Sequence, residues 1–308
     1  MRALVIGGCG FVGRYLTRYL KQCGYETIVT KMHAQQTADE ADIVCELDIL
    51  EKAAVERLLE KTNPDVLFHL AAQSSVAASW NDPGQTIDVN IKGSANVLEA
   101  VRRQRKKIRV VLTGSSEEYG KTAPEEMPVS EAQQMRPANV YAATKACQNM
   151  IGSIYAQAYG MDIVMVRAFN HIGPGQSAAF VIADFCRQAA QIKAGRQAAV
   201  IRAGNLDARR DFTDVRDIVR AYVLLAERGQ SGETYNVGSG HAKSIAEVLQ
   251  IIIEQAAVAI RIETDKGRMR PLDVPVVEAD IRKLQSITGW QPQIPLEQTI
   301  REMLQNSC

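Results

Sequence analysis

Two side chains suited to proton transfer lie four residues apart in the segment YAATK. Tyr141 and Lys145 stand at the start of an expected helix, so this spacing places them on one face of it. A tyrosine phenol has an ordinary pKa of about 10, and an adjacent ammonium lowers that pKa by favouring the phenolate. Such a pair can serve as acid or base near neutral pH, although the same spacing also arises by chance on many helices.

Hydroxyls and carboxylates follow an apolar run in the segment VLTGSSEEYG. Ser115 and Ser116 stand at the carboxyl end of an expected buried strand, which is where parallel sheets bind ligands. Reduction of a ketone needs a hydride at carbon and a proton at oxygen, so hydroxyls beside a phenol suit a carbonyl substrate. Glu117 and Glu118 come next. Continued extended backbone would point Glu118 to the opposite side, so we expect it to matter less than Glu117.

Short apolar runs alternate with helix-like segments through the first half of the chain. Between helices, strands are expected at 3–7, 26–30, 42–48, 66–72, 108–116 and 162–170. Uninterrupted Val, Ile and Leu runs indicate parallel strands covered on both faces, hence an α/β fold with a doubly wound Rossmann sheet. After about residue 170, Pro and Gly punctuate shorter elements. We predict a Rossmann domain at 1–170, to which about 211–238 return, and a smaller mixed α/β substrate domain at 171–308.

A glycine loop lies between the first strand and its helix. Gly7, Gly10 and Gly13 form a G-x-x-G-x-x-G pattern that encloses Phe11 and Val12. Glycines at this position let the backbone turn tightly and approach a pyrophosphate, whose charge then faces the helix N-terminus. A tight turn alone would select the same residues. The position at the start of a strand, helix, strand series favours dinucleotide binding.

The end of the second strand bears on the type of dinucleotide. NAD-binding sheets normally carry an acid about twenty residues past the glycines, whereas this chain has Thr30 and Lys31. A lysine can pair with a 2′-phosphate, which favours NADP and leaves NAD open; a solvated surface lysine is the alternative. Asp48, followed by Ile49, is placed to reach the adenine from the third strand or to cap the next helix.

Several segments together resemble the extended short-chain dehydrogenase/reductases. They are GGCGFVG, HLAAQSSV, NIKGSANVLEA, GSSEEYG and YAATK, with RDFTDVRDIV, YNVGSG and RMRPLDVP in the C-terminal half. The resemblance implies that Tyr141 is the general acid, that Lys145 lowers its pKa and contacts the nicotinamide ribose, and that Ser115 hydrogen-bonds the substrate oxygen. It therefore assigns the same roles that the residue types suggest.

The resemblance also implies contacts with cofactor and substrate beyond these three residues. Ala71, Ala72 and Gln73 would line the cofactor, and Asn90 would bond backbone groups inside the fold. A structural role is expected for His171 ahead of a catalytic one. The expected contacts with a sugar nucleotide are Ser116, Glu117, Asn170, Arg210 and Arg270.

Within this family the segments look most like the GDP-6-deoxy-4-keto-D-mannose reductases, which make GDP-D-rhamnose. The resemblance thus implies NAD(P)H-dependent reduction of the 4-keto group of a GDP-linked 6-deoxyhexose. A GDP-mannose 4,6-dehydratase, or another nucleotide-sugar dehydratase or epimerase, is the main alternative, and a dehydratase would use Ser115, Ser116 and Glu117 as its Thr-Ser-Glu equivalents. A non-catalytic nucleotide sensor is disfavoured because both Tyr141 and Lys145 are present.

The composition argues against several other classes of protein. Lys and Arg number 36 against 35 Asp and Glu, a net charge of +1, so no nucleic acid or anionic membrane is expected as partner. The six cysteines show no C-x-x-C spacing, which predicts reduced thiols, a cytoplasmic location and no structural metal. No segment offers about eighteen apolar residues in a row, so no membrane span is expected. The helices expected at about 85–104 and 139–159 pair in many relatives, and we predict a homodimer.

Overall fold

The computed structural model describes residues 1–32, 40–269 and 274–307. Its strands are β1 (Arg2–Ile6), β2 (Glu26–Lys31), β3 (Ile43–Glu46), β4 (Val66–His69), β5 (Arg109–Thr113), β6 (Ile163–Ala168), β7 (Asn170–Ile172), β8 (Val200–Ala203), β9 (Arg209–Asp214), β10 (Thr234–Val237), β11 (Ala242–Ser244), β12 (Arg261–Thr264) and β13 (Val276–Val277).

Helices lie between many of these strands and after the last of them. They are α1 (Phe11–Gln22), α2 (Lys52–Thr62), α3 (Val76–Asn81), α4 (Pro83–Ile87), α5 (Ser94–Arg102), α6 (Val140–Tyr159), α7 (Val181–Lys193), α8 (Val215–Arg228), α9 (Ile245–Ala256), α10 (Arg282–Thr288) and α11 (Leu296–Gln305). A π-helical turn (Asp88–Gly93) joins α4 to α5, and 3-10 turns lie at Ser116–Tyr119, Pro124–Glu126 and Lys266–Arg268.

Seven parallel strands form the main sheet in the order β10-β6-β5-β4-β1-β2-β3. Successive side chains of β1 enter opposite cores: Ala3 and Val5 pack on the α1 and α8 side, Leu4 and Ile6 on the α2 and α5 side. Both faces are therefore covered, as uninterrupted apolar runs require. The predicted doubly wound α/β sheet is confirmed.

The strand order reverses beside β1, which lies between β2 and β4. In an open parallel sheet the crevice at such a switch point, beyond the carboxyl ends of the strands, is where ligands bind. The segments that leave β1, β4, β5 and β6 at this edge are the glycine loop, the loop that begins at Leu70, the segment from Gly114 and the segment from Phe169. The topology thus collects the chemically active segments at one edge.

The C-terminal half contributes a second, smaller layer. Strand β9 pairs with β11, β13 and β7, and β8 pairs with β12. Helices α7, α9 and α11 bury a separate apolar core around Phe185, Leu249 and Ile300. Helix α8 and strand β10 return to the main sheet, where β10 forms its edge. Among the described residues no helix is long and apolar enough to cross a membrane.

The segment expected as one long helix from 88 contains a π-helical turn. Asn90 lies in that turn and is fully buried. Its Oδ1 accepts from Gln73 N at 2.8 Å, and its Nδ2 donates to Gln73 O at 3.0 Å and to Thr144 Oγ1 at 3.0 Å. The expected internal role of Asn90 is therefore what the structure shows: it links the loop after β4 to α6.

Two glycines with similar positive φ allow a matched stability test. Gly120 (φ 58°) follows the 3-10 turn at Ser116–Tyr119, and any Cβ there would overlap the backbone of Arg136. Gly160 (φ 63°) ends α6, and a Cβ there would meet open space. We predict that Gly160→Ala costs about 1–2 kcal/mol of unfolding free energy from backbone strain alone, and that Gly120→Ala costs more than that. Urea denaturation of both variants would check this, and equal losses would contradict it.

Candidate active site

A single cavity of about 930 Å³ runs from the glycine loop, past the N-terminal end of α6, into the smaller layer. It is lined by most of the residues that the sequence singled out. The predicted residues on its wall are Gly7, Gly10, Phe11, Val12, Gly13, Asp48, Ile49, Ala71, Ala72, Ser115, Ser116, Glu117, Tyr141, Lys145, Asn170, His171 and Arg210.

The glycine loop forms one end of the cavity. Gly7 has φ 88°, and a Cβ there would lie 2.8 Å from Ala71 N. A Cβ on Gly13 would lie 2.5 Å from both Gly7 O and Gly8 O, so the start of α1 packs directly on the turn. Gly10 is the N-cap residue of α1, whose first turn carries no acid. This cradle of close backbone at the N-terminus of a twelve-residue helix fits a pyrophosphate.

The residues at and after the ends of β2 and β3 differ in whether they line the cavity. Thr30 Oγ1 accepts Gly7 N–H at 3.0 Å and lies on the cavity wall. Lys31 is outside the described lining, and its Nζ lies 3.5 Å from Glu46 Oε1. Asp48 lines the cavity, and its Oδ1 accepts from Leu50 N at 2.8 Å, so the side chain orders the turn that follows β3.

The loop after β4 lines the cavity with its alanines, whereas its glutamine side chain makes hydrogen bonds away from the cavity lining. Ala71 and Ala72 are on the wall. Gln73 is not part of the described lining; its Nε2 donates to Thr86 Oγ1 at 2.9 Å, and its Oε1 accepts from Ser75 N at 2.5 Å. The structure therefore gives Gln73 a role inside the loop.

Ser115 and Tyr141 meet at the middle of the cavity. Ser115 follows β5, while Tyr141 lies in the first turn of α6, where Asn139 caps the helix by accepting from Ala142 N at 2.8 Å. The Ser115 hydroxyl lies close enough to the Tyr141 phenol to act on its pKa, which it lowers. Each residue is 8% exposed, so the pair is shielded from bulk water yet lies on the cavity wall.

Burial dominates the electrostatics of the tyrosine and the lysine. It raises the pKa of Tyr141; the nearby Ser115 side chain opposes this shift, and the nearby Glu117 charge adds to it. Burial lowers the pKa of Lys145 to about 8. Lys145 Nζ donates to Thr113 O at 2.8 Å and to Gln148 Oε1 at 3.1 Å. The expected lowering of the Tyr141 pKa is absent here, and the phenol stays protonated, as a proton donor must.

The two glutamates behind Ser116 lie in different surroundings. Glu117 lines the cavity, and its Oε2 accepts from Asn139 Nδ2 at 3.1 Å. Glu118 is fully buried, and its Oε1 accepts from Ser115 N at 2.8 Å. The expectation of continued extended backbone is wrong, because residues 116–119 form a 3-10 turn that directs Glu118 into the protein.

Asn170 and His171 begin β7 and face the same cavity. Asn170 is exposed. The His171 ring stacks on Phe11 with centroids 6.4 Å apart, and its Nδ1 lies 3.0 Å from Phe169 O. Burial lowers the pKa of His171, which favours the neutral ring. These contacts describe an anchored imidazole at the wall between the two ends of the cavity.

The far end of the cavity carries arginines and one acid. The sequence did not single out this acid. Arg210, on β9, is 8% exposed and donates through Nη1 to Val274 O at 2.7 Å. Arg270 lies outside the described residues. Arg268 lines the cavity and donates to Asp184 Oδ2 at 2.7 Å. The signal for Asp184 was an acid inside the apolar run FVIADFC.

No metal site is apparent at these residues. Across 1–32, 40–269 and 274–307, no three His, Cys, Asp or Glu side chains are grouped so that they could hold a metal ion.

A doubly wound sheet with a glycine loop and a buried Ser, Tyr and Lys set defines a short-chain dehydrogenase/reductase of the extended type, a class of NAD(P)-dependent oxidoreductases. The family model described as GDP-mannose 4,6 dehydratase matches residues 4–303, and the chain belongs to this family.

Individual relatives are similar over their full length. A GDP-6-deoxy-D-mannose reductase of Pseudomonas aeruginosa is 32% identical over 98% of this chain and 96% of its own. GDP-mannose 4,6 dehydratase 1 of Arabidopsis thaliana is 30% identical over 98% of this chain and 88% of its own. The two relatives are named for different reactions, a reduction and a dehydration.

Solved structures agree with the fold. A Pseudomonas aeruginosa protein, RMD, solved in complex with NADPH, superposes with a TM-score of 0.89 at 32% identity, covering 99% of this chain and 98% of that one. A UDP-glucose 4-epimerase of Thermus thermophilus, in complex with NAD, gives a TM-score of 0.89 at 29% identity, covering 100% and 99%.

The lowered pKa of Lys145 predicts a stability cost that depends on pH. Between the folded pKa of about 8 and the ordinary 10.5, the unfolded chain binds more protons, so stability rises with pH across this window. We expect Lys145→Met to raise the free energy of unfolding by roughly 1–3 kcal/mol at pH 7, with the gain vanishing above the ordinary pKa. Urea denaturation at several pH values measures this.

Lys145→Arg is the matched control for that variant. Arginine keeps its charge across the whole range, so this variant should gain no stability at any pH. A Lys145→Met gain that does not fade as the pH rises would contradict the prediction.

Proposed function

We propose that the protein reduces the 4-keto group of GDP-4-keto-6-deoxy-D-mannose with NADPH, giving GDP-D-rhamnose. The observation that carries the proposal is the pairing of Ser115 with Tyr141 on the wall of one cavity, which has a glycine cradle at one end and arginines at the other. The full-length similarity to the Pseudomonas aeruginosa reductase, and to the structure solved with NADPH, supports this reading.

The residues at the glycine end suit a dinucleotide. The close packing of Gly7 and Gly13 leaves backbone, with no side chain in the way, at the N-terminus of α1, which matches a pyrophosphate in shape and charge. Ala71, Ala72 and Asp48 would lie along the remainder of the cofactor. When bound, the nicotinamide supplies the hydride.

The chain's own residues supply the proton and fix the carbonyl. Ser115 donates a hydrogen bond to the substrate oxygen, which draws electron density away from the carbon. Tyr141 then gives its phenolic proton to the same oxygen. The raised pKa keeps this proton on Tyr141 until charge develops on the substrate oxygen. The Lys145 ammonium stabilises the phenolate that remains, as an opposite charge nearby favours the ionised form.

The wider end of the cavity suits the diphosphate and the sugar. Arg210 presents a planar guanidinium from β9 in a nearly uncharged protein, and such a group bonds phosphate oxygens bidentately. Asn170 and Ser116 line the same cavity as Arg210 and Tyr141, and they would contact the sugar. We include Arg270 among the substrate contacts on the resemblance alone.

A GDP-mannose 4,6-dehydratase is the second candidate function. The observation that favours it is Glu117, a carboxylate on the cavity wall close enough to raise the pKa of Tyr141. A dehydratase uses a base to remove the proton beside the carbonyl, whereas a 4-keto reductase has no such proton to remove. In the reductase, Glu117 would position the sugar through the Asn139 contact.

One assay separates the two candidates. The purified protein is mixed with NADPH and the 4-keto product made from GDP-mannose by a known dehydratase, and NADPH absorbance is followed. Loss of NADPH in equal amount to the sugar product is expected for the reductase. Conversion of GDP-mannose itself, without net change of cofactor, would replace the proposal with the dehydratase.

We also propose that the protein is a cytoplasmic homodimer, and that each copy has the Rossmann domain predicted at 1–170, with return of about 211–238, and the smaller substrate domain predicted at 171–308. Support for the dimer comes from exposed apolar side chains on neighbouring helices: Ile87 at the end of α4, and Met150 and Ile154 on α6. Pairing of this face between two copies would form a four-helix bundle. Light scattering of the wild type beside Ile154→Glu tests it.

Tyr141→Phe should remove the proton donor and leave the fold intact. We expect turnover to fall by about 10²- to 10⁴-fold, the usual contribution of a positioned acid, with the melting temperature and NADPH affinity unchanged. Glu117→Gln is the comparison, since it removes a charge beside the same phenol and no proton donor. We expect it to lose far less. Retention of more than about a tenth of wild-type turnover by Tyr141→Phe would exclude the acid role.

Lys31→Asp should weaken NADPH binding more than NADH binding. The substitution sets a carboxylate against the 2′-phosphate at the end of β2, so we expect about a tenfold or larger rise in the Kd for NADPH and little change for NADH. Glu46→Gln is the control: it removes the carboxylate 3.5 Å from Lys31 and should not weaken NADPH binding. Fluorescence titration measures both. An unchanged preference in Lys31→Asp would make Lys31 a surface residue only.

A further inference from the structure

We propose that Glu118 positions Ser115 for catalysis: its buried carboxylate holds the Ser115 main chain so that the hydroxyl meets Tyr141. Glu118 is fully buried and lies outside the described cavity lining, so it acts through Ser115 and not on the substrate. This inference rests on the proposed function only in taking Ser115 and Tyr141 as the groups that meet the carbonyl.

Ser115 and Glu118 form a reciprocal capping box at the 3-10 turn Ser116–Tyr119. Glu118 Oε1 accepts Ser115 N–H at 2.8 Å, and Ser115 Oγ accepts Glu117 N–H at 3.2 Å. The second bond occupies one lone pair of Oγ and fixes its direction, which leaves the hydroxyl proton and the other lone pair for Tyr141 and a substrate oxygen. The hydroxyl is therefore aimed by the box as a whole.

The other oxygen of Glu118 is held by an arginine on the neighbouring strand. Arg167 Nε, on β6, donates to Glu118 Oε2 at 2.9 Å, and the two side chains are 6% and 0% exposed. The guanidinium also lies 4.7 Å from the centroid of the Tyr119 ring and donates to Glu131 O at 3.2 Å. A buried carboxylate is costly unless it is paired in this way. The chain therefore maintains the carboxylate at a cost that a leucine would avoid.

The space beneath Ser115 is shaped for this carboxylate. Any Cβ on Gly114 would overlap the Glu118 carboxylate and would lie 2.7 Å from Val166 O, so the residue before Ser115 has room only for a hydrogen. The Glu118 charge also raises the pKa of both Tyr141 and Lys145. The carboxylate is thus in contact with the serine and electrostatically coupled to the other two groups.

Two double variants test the proposal. Glu118→Leu with Arg167→Met removes both buried charges and the acceptor for Ser115 N–H. Glu118→Gln with Arg167→Met removes the same charges and keeps an oxygen for that N–H. Replacing both members of a buried ion pair is often neutral for stability, whereas removing one member leaves the other charge buried without a partner. The two proteins therefore differ mainly in the bond under test.

We expect both proteins to fold. The leucine variant should lose about 10- to 100-fold in kcat, as misplacement of a reacting group does, with KM for the sugar nucleotide and the Kd for NADPH within about threefold of wild type. The glutamine variant should retain kcat within about threefold. Equal kcat in the two, or a loss confined to KM, overturns the proposal.

Amide hydrogen exchange at Ser115 provides a readout that needs no substrate. Exchange should be faster in the leucine variant and close to wild type in the glutamine variant, since only the former loses the acceptor. Equal exchange in both overturns the positioning role. Failure of the wild type to reduce the 4-keto sugar would overturn the proposed function, and the exchange result would still decide this one. Glu118→Met replaces the leucine should that variant not fold.

Discussion

Both faces of the parallel sheet are buried, so its functional polar groups lie at the edge where the carboxyl ends of the strands meet. Side chains along β1 alternate between two apolar cores, so neither face of the sheet can carry a functional group. The glycine loop, the alanines after β4, the serines after β5 and Asn170 after β6 each come from a different strand end. The geometry of the site therefore follows from the register of the strands, and a slip of one strand would displace a whole set of contacts.

The same burial sets the charge state of the site. The shifts at Tyr141, Lys145 and His171 all have burial as their largest cause, and all favour the uncharged form. A protonated phenol beside a lysine with a lowered pKa suits a reaction in which the substrate oxygen carries negative charge only transiently. Burial also raises the pKa of Glu118 to about 7; Arg167, 2.9 Å from its carboxylate, opposes this shift.

Sequence patterns were sufficient to predict the fold and to locate the residues whose positions depend on a single strand or helix. The glycines, the Tyr and Lys spacing and the strand-end serines lie on elements that apolar periodicity places reliably. One wrong expectation concerned Glu118, because extended backbone was assumed where a 3-10 turn forms, although the Ser-x-x-Glu spacing of a capping box was present in the sequence. Another concerned the pKa of Tyr141, which burial raises. Periodicity also cannot show pairing between distant residues. The contacts of Lys31 with Glu46, and of Arg268 with Asp184, join segments from different parts of the chain.

Strand β10 has a consequence for how the protein can be divided. It follows α8, late in the chain, yet it forms the outermost strand of the main sheet beside β6. A fragment ending at residue 170 would lack it, and β6 would then present an open row of backbone donors and acceptors along an apolar strand. Such an edge recruits other chains. The N-terminal layer is thus a continuous structural unit assembled from discontinuous sequence. Its soluble expression depends on β10, which is synthesised after β7, β8 and β9 of the smaller layer.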